Sequence, residues 1–129
     1  MDEPCWVSKR AVLALHEEQL AEHGGSSGIR DESLLDSALA KPQNVFACAD
    51  DPGIFRLAAS YAFGIARNHA FVDGNKRTAL VACILFLNRN GWDITASKTE
   101  EYETFLRLAE GSLGGDELTA WLTRHAVAV

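Results

Sequence analysis

An all-α domain of about six helices, with one apolar helix at its centre, is the fold that the sequence predicts. Apolar residues recur three and four positions apart, strand-like alternation is almost absent, and capping residues divide the chain into pieces of helix length. The 129 residues, 47% of them apolar, suffice for one domain over 1–129 with a single core. The expected architecture is therefore a single helical bundle.

The first two helices are marked by their ends. Ser8 can cap the first helix, and the stretch 23–28, which is rich in glycine and serine, ends it. Asp31 can cap the second helix, which Pro42 is expected to stop, because proline removes a helical donor. The sequence therefore predicts an irregular or extended segment over 42–50.

The next two helices are expected on either side of a polar loop. Asp51 followed by proline is a start signal for a third helix that runs to about Arg67. A fourth helix should begin near Gly74 or Asn75 and end before Gly91. Because apolar residues lie nearly all round this fourth helix, it is the predicted central helix.

The C-terminal part predicts a short extended piece at 92–95 and two more helices. Ser97 and Glu100 match the capping box of a fifth helix, and a last helix should begin near Asp116. The residues of the fifth helix that are expected to point inward are Tyr102, Phe105, Leu106 and Ala109.

Composition excludes several classes of protein. The formal net charge of -6 argues against direct nucleic-acid binding, which needs a basic face. The scattered Cys5, Cys48 and Cys83 form neither a disulfide framework nor a zinc cluster, and Cys83 is expected to be buried. The longest uncharged apolar run, 78–87, is shorter than the roughly 20 residues that cross a bilayer. Without a signal-peptide pattern, the expected location is a reducing cytoplasm with no membrane contact.

The stretch HAFVDGNKR, residues 69–77, places dense polar chemistry at the start of the apolar helix. The first N–H groups of a helix lack partners and carry partial positive charge, and glycine lets a ligand approach the backbone. Asn75, Lys76 and Arg77 add an amide and two cations, although cations are disfavoured at a helix N-terminus. Together with Gly74 they are predicted to bind an anion, and a di- or triphosphate matches the number of donors better than a carboxylate.

Asp73 and His69 extend this predicted site. A carboxylate beside phosphates would repel them unless Mg²⁺ were present, and Mg²⁺ is often held by one or two carboxylates with substrate phosphates. His69 can accept a proton near neutral pH and so activate an incoming hydroxyl, while Phe71 is expected to pin the loop to the core. Other interpretations stay open: Asp73 can simply cap the fourth helix, His69 and Asp73 can bind a metal from one helical face, and Lys76 and Arg77 can form a solvated first turn. The remaining histidines are predicted to be structural: His16, His23 and His125.

This stretch resembles the signature of the Fic/Doc family, His-x-Phe-x-(Asp/Glu)-Gly-Asn-(Gly/Lys)-Arg, with every position in register. The segment 24–46, GGSSGIRDESLLDSALAKPQNVF, is similar to the upstream region of the Doc branch. The resemblance covers nearly the whole chain and implies a Fic-type helical bundle.

Carried over by position, the resemblance implies a role for each residue of the stretch. His69 would be the general base, Asp73 would hold Mg²⁺, and 74–77 would form the anion hole for ATP. The segment around 42–49 would be the flap that docks the target peptide as an added strand, with an ordinary connecting loop as the open alternative.

Two departures from AMP-transferring Fic proteins bear on the reaction. Those proteins usually have glycine where Lys76 stands and a second arginine where Leu80 stands. Doc-type proteins share the lysine form and are described as kinases that pass the γ-phosphate of ATP to elongation factor Tu. The resemblance therefore implies a Mg-ATP-dependent Ser/Thr protein kinase that arrests translation, with AMP transfer to a protein hydroxyl as the alternative.

The resemblance also implies control by a partner. Some Fic proteins carry an inhibitory helix with the pattern (Ser/Thr)-x-x-x-Glu-(Gly/Asn), but here Tyr102 follows the nearest match, 97–101. A separate Phd-type antitoxin, and hence a toxin–antitoxin pair, is implied. A rival hypothesis from another class is a non-catalytic module that binds a repressor and tunes transcription.

Overall fold

Six helices and one small sheet make up the computed structural model, which describes residues 1–129. The sheet is antiparallel and pairs β1 (Trp92–Ile94) with β2 (Ala126–Ala128). The helices are α1 (Lys9–His23), α2 (Glu32–Cys48), α3 (Ile54–Asn68), α4 (Asn75–Arg89), α5 (Lys98–Glu110) and α6 (Gly115–His125). The predicted all-α class with about six helices is confirmed. No helix combines the length and the apolarity that a bilayer crossing requires.

Helices α3 and α4 form the centre of the bundle. α3 contacts α2, α4, α5 and α6, whereas α4 contacts α1, α3 and α5. A Cβ atom at Gly64 of α3 would lie only 3.1 Å from the Cβ of Ala38, so the missing side chain lets α2 pack closely. α4 buries Ala79, Cys83 and Phe86, in agreement with its predicted central position, which it shares with α3.

α4 and α6 begin within one residue of their predicted starts, and three other helices begin where the sequence predicts because a local side chain satisfies their first N–H groups. The Ser8 hydroxyl accepts from the backbone of α1, and the Asp31 carboxylate accepts from the backbone of α2. Ser97 and Glu100 form the reciprocal capping box at the start of α5.

The predicted end of α2 at Pro42 is wrong. The helix continues to Cys48, so the segment that was expected to be extended is helical. Pro42 removes one helical donor, but it is buried, and Val45 and Phe46 pack against the core one turn later. This burial outweighs the local cost of proline, and the implied target-docking flap is not an extended segment.

The predicted start of α3 at Asp51 is also wrong. Asp51 has a positive φ of 41°, and its carboxylate lies 3.7 Å from the N-terminal amine of Met1. α3 begins only at Ile54, after Gly53 in a conformation with φ 77°, and no side chain caps it. Asp51 therefore does not cap α3, and glycine provides the turn into it.

Candidate active site

The loop between the two central helices, 69–74, turns sharply at both ends. α3 ends with His69 in the left-handed region at φ 51°, and α4 follows Gly74 at φ 78°. The left-handed region costs a non-glycine residue about 1–3 kcal/mol, so surrounding contacts must impose it. These two turns present the polar residues of the loop beside the start of α4.

Phe71 anchors the middle of the loop, as predicted. Its side chain is buried in the core. The Asn75 side chain accepts from the Phe71 N–H at 3.0 Å and donates to the Phe71 carbonyl at 2.9 Å. The side-chain amide of Asn75 therefore helps to hold the loop, while its backbone N–H and the second N–H of Nδ2 have no protein partner.

His69 is held by its backbone and keeps its imidazole free. The Arg30 guanidinium donates to the His69 carbonyl at 2.7 Å and to the Asn68 carbonyl at 3.2 Å. The exposed His69 imidazole makes no hydrogen bond. The neighbouring Asn68 donates to the Leu34 carbonyl and ends α3, while Arg67 packs over an aromatic ring.

The Asp73 carboxylate is oriented by two backbone N–H groups. Its Oδ1 accepts from Gly74 at 2.8 Å and its Oδ2 accepts from Ser26 at 3.3 Å. A Cβ atom at Gly25 would lie 2.9 Å from Oδ2, so only glycine lets the neighbouring segment approach this closely. No side chain caps α4, so the interpretation of Asp73 as a helix cap is wrong.

A metal pair on one helical face is also contradicted. His69 lies at the C-terminal cap of α3, and Asp73 lies in the loop. No three His, Cys, Asp or Glu side chains converge on a common metal position. The role of Asp73 as a single carboxylate ligand that shares Mg²⁺ with substrate phosphates stays a prediction.

The two cations at the start of α4 have no carboxylate partner. Lys76 and Arg77 are half-buried, unlike a fully solvated first turn, and neither forms an ion pair. The Lys76 ammonium lies 4.3 Å from the ring centroid of Tyr102. Tyr102 was expected to point inward, but it is 53% exposed because it lies on the solvent side of α5. Two unneutralised cations at a positive helix end favour an anionic ligand.

A single cleft of about 380 Å³ joins these groups, a size typical of small-ligand sites. Leu106 and Ala109 of α5 form its apolar wall. The cleft is lined by all six residues that the sequence predicts for the site: His69, Asp73, Gly74, Asn75, Lys76 and Arg77.

Sequence reasoning missed the residues that support the loop from the N-terminal third of the chain. These are Arg30, Ser26 and His16, whose Nε2 lies 2.8 Å from the Asp73 carbonyl. His16 was expected to be structural, and it is buried, but its partner belongs to the site. A signal existed, because a histidine on the apolar face of a helix needs a polar partner.

The fold and the site define a class of protein: a helical bundle in which the loop that begins with His69 and the N-terminus of α4 line one cleft. The chain belongs to the Fic/DOC family, whose model matches residues 6–87. It is 35% identical to the protein kinase doc of Escherichia phage P1 over 85 residues, and this aligned region covers 66% of this chain and 68% of that protein. It is 46% identical over 74 residues to the toxin Doc of Mycolicibacterium smegmatis, 57% of each protein. The resemblance to the Doc branch is thereby confirmed.

Proposed function

We propose that this chain is the toxin of a toxin–antitoxin pair and a Mg-ATP-dependent Ser/Thr protein kinase. It would transfer the γ-phosphate of ATP to a hydroxyl of a translation factor, elongation factor Tu, in the cytoplasm. The convergence of His69, Asp73 and the start of α4 on one cleft carries this proposal. The names of the two relatives, a protein kinase and a toxin, support it.

His69 is suited to be the general base. Its imidazole lines the cleft and makes no hydrogen bond, so it is free to accept the proton of the target hydroxyl. The hydroxyl oxygen then bonds to the γ-phosphorus while the bond from that phosphorus to the bridging oxygen breaks, and ADP leaves. Because Arg30 fixes the His69 backbone, the base is positioned before the target arrives.

The start of α4 is suited to bind the phosphates. Its unpaired N–H groups, Lys76 and Arg77 supply positive charge at one end of the cleft. Asp73 would hold Mg²⁺, which when bound neutralises phosphate charge. The two N–H groups on the Asp73 carboxylate keep it aimed at the same end of the cleft.

Transfer of AMP to a protein hydroxyl is the alternative reaction. Lys76 occupies the position where AMP-transferring relatives usually have glycine, and a long cation leaves less room for the α- and β-phosphates. Leu80 packs against the core, so no cation stands where those relatives have a second arginine. These two residues favour phosphate transfer.

Labelled ATP tests the proposal directly. The purified chain is incubated with elongation factor Tu, with and without Mg²⁺, and with ATP labelled at either the γ- or the α-phosphate. Phosphate transfer predicts γ-label and a mass increase of roughly 80 Da, whereas AMP transfer predicts α-label and roughly 329 Da. The heavier adduct would overturn the interpretation of Lys76.

A His69→Ala variant separates the enzyme from a non-catalytic module that tunes transcription. It should lose phosphate transfer and toxicity but keep binding to a Phd-type antitoxin, because the exposed imidazole forms no hydrogen bond that the fold would lose. His23→Ala, at an exposed histidine of α1, is the matched control. A His69→Ala variant that stays toxic would favour the binding module. Direct contact with nucleic acid is not part of the proposal, given the net charge of -6.

A further inference from the structure

We propose that His16 is a positioning residue of this active site, whose imidazole on α1 fixes the backbone of the loop that carries Asp73. The expected effect of His16 on phosphate transfer rests on the proposed function, whereas the contacts of His16 with the loop are independent of it.

The first contact is a hydrogen bond to the backbone of Asp73. His16 Nε2 lies 2.8 Å from the Asp73 carbonyl oxygen, and a carbonyl can only accept, so Nε2 carries the proton. His16 is 4% exposed, and buried polar groups in proteins are nearly always paired. The Asp73 carbonyl is the partner that the fold provides.

The second contact involves the ring itself. It stacks on Phe71 with ring centroids 3.8 Å apart and planes tilted by 10°. The ring also lies near the turn into α4, since a Cβ atom added at Gly74 would lie 3.5 Å from His16 Cδ2. One side chain therefore contacts the anchor of the loop and the residue expected to hold Mg²⁺.

The contacts of His16 restrict the position of the Asp73 carboxylate. The Asp73 carboxylate and carbonyl belong to one residue, so fixing the carbonyl restricts where the carboxylate can point. Partners that orient a metal ligand typically change metal affinity or activity by roughly 10–100-fold when they are lost. We expect the same range for His16.

Two substitutions separate the hydrogen bond from the ring contact. His16→Phe keeps the stacked ring and removes the donor, whereas His16→Gln places an amide donor near the position of Nε2. His23→Phe makes the same chemical change at an exposed position of the same helix and serves as the control. Phosphate transfer is measured against Mg²⁺ concentration at saturating ATP.

His16→Phe should raise the half-saturating Mg²⁺ concentration and lower the maximal rate, together by roughly 10–100-fold. His16→Gln should recover much of the loss, and His23→Phe should behave as wild type. A merely structural role would reduce the amount of folded protein and leave the half-saturating Mg²⁺ concentration unchanged. That last result would overturn the proposal.

Hydrogen exchange gives a second readout that needs no catalysis. The N–H groups of Phe71 and Val72 donate to Asn75 and Gly28, so both should exchange slowly in the wild type. His16→Phe should speed exchange at these two positions more than in α6. If the wild type transfers no phosphate, the proposed function is wrong, and unchanged exchange in His16→Phe would then overturn the positioning role separately.

Discussion

Removal of the Arg30 side chain should loosen His69, the proposed general base, without unfolding the protein. Arg30 lies just before α2, and its guanidinium donates to the carbonyls of His69 and Asn68 at 2.7 and 3.2 Å. These carbonyls belong to the C-terminal end of α3, where a cation is favourable. His69 there has a positive φ of 51°, which few non-glycine residues adopt.

The expected size follows from two terms. Two charge-assisted hydrogen bonds at an exposed site contribute about 1–2 kcal/mol, and the left-handed backbone of His69 stores about 1–3 kcal/mol. In Arg30→Ala the first term is lost, so His69 should populate other conformers. A shift of about 1.4 kcal/mol corresponds to a tenfold lower rate. We therefore expect phosphate transfer to fall roughly tenfold and the Tm to fall by roughly 3–8 °C.

Initial rates of transfer and thermal unfolding, measured on the same preparations, test this expectation. Arg10→Ala is the matched control, because Arg10 is exposed on α1 and forms no ion pair. Arg30→Lys should resemble Arg30→Ala, since a single ammonium does not reproduce the planar fork that spans two carbonyls. Equal rates for the variants at positions 30 and 10 would refute the argument.

Contacts elsewhere allow three more tests. Asn75→Ala loses both hydrogen bonds to Phe71, so the free energy of unfolding, measured in urea, should fall by about 1–3 kcal/mol; an unchanged midpoint would contradict the anchoring role. Gly64→Val forces a branched side chain against Ala38 and should cost about 1–3 kcal/mol, seen as a lower Tm, whereas an unchanged Tm would mean that α2 can move aside. Burial raises the pKa of the Cys83 thiol to about 12, so at about pH 8 only the two exposed thiols should react with Ellman's reagent until the protein unfolds, and three fast thiols would contradict this. The Cys83 thiol loses its proton at a lower pH in the unfolded chain than in the folded protein. Its contribution to the free energy of unfolding is therefore fully present below pH 9.0 and is lost as the pH rises towards 12.

The helix starts that depend on neighbouring side chains could be predicted from the sequence. Ser8, Asp31 and Ser97 each bond to an N–H within three residues, so their effect is local. The end of α2 could not be predicted, because Pro42 is tolerated only through burial against distant helices. The strand β2 was missed for a similar reason, since three residues carry no clear alternation and depend on their pairing with β1.

The candidate site divides in the same way. The residues from His69 through Arg77 are contiguous, so one loop and one helix start bring them together, and the sequence alone predicts the set. His16, Ser26 and Arg30 act through hydrogen bonds that span 38 to 57 positions along the chain. Their roles depend on how α1 and the following segment pack against the loop, which local spacing does not encode.

The pairing of β2 with β1 has a practical consequence. β1 follows the C-terminal end of α4, and the Val129 N–H donates to the Gly91 carbonyl, so the end of the chain is fastened there. The cleft lies at the other end of α4, which with 15 residues is about 22 Å long. A dye or a surface tether attached to Val129 would thus lie about one helix length from the cleft. Immobilisation through this strand should leave the cleft open for ligand titration.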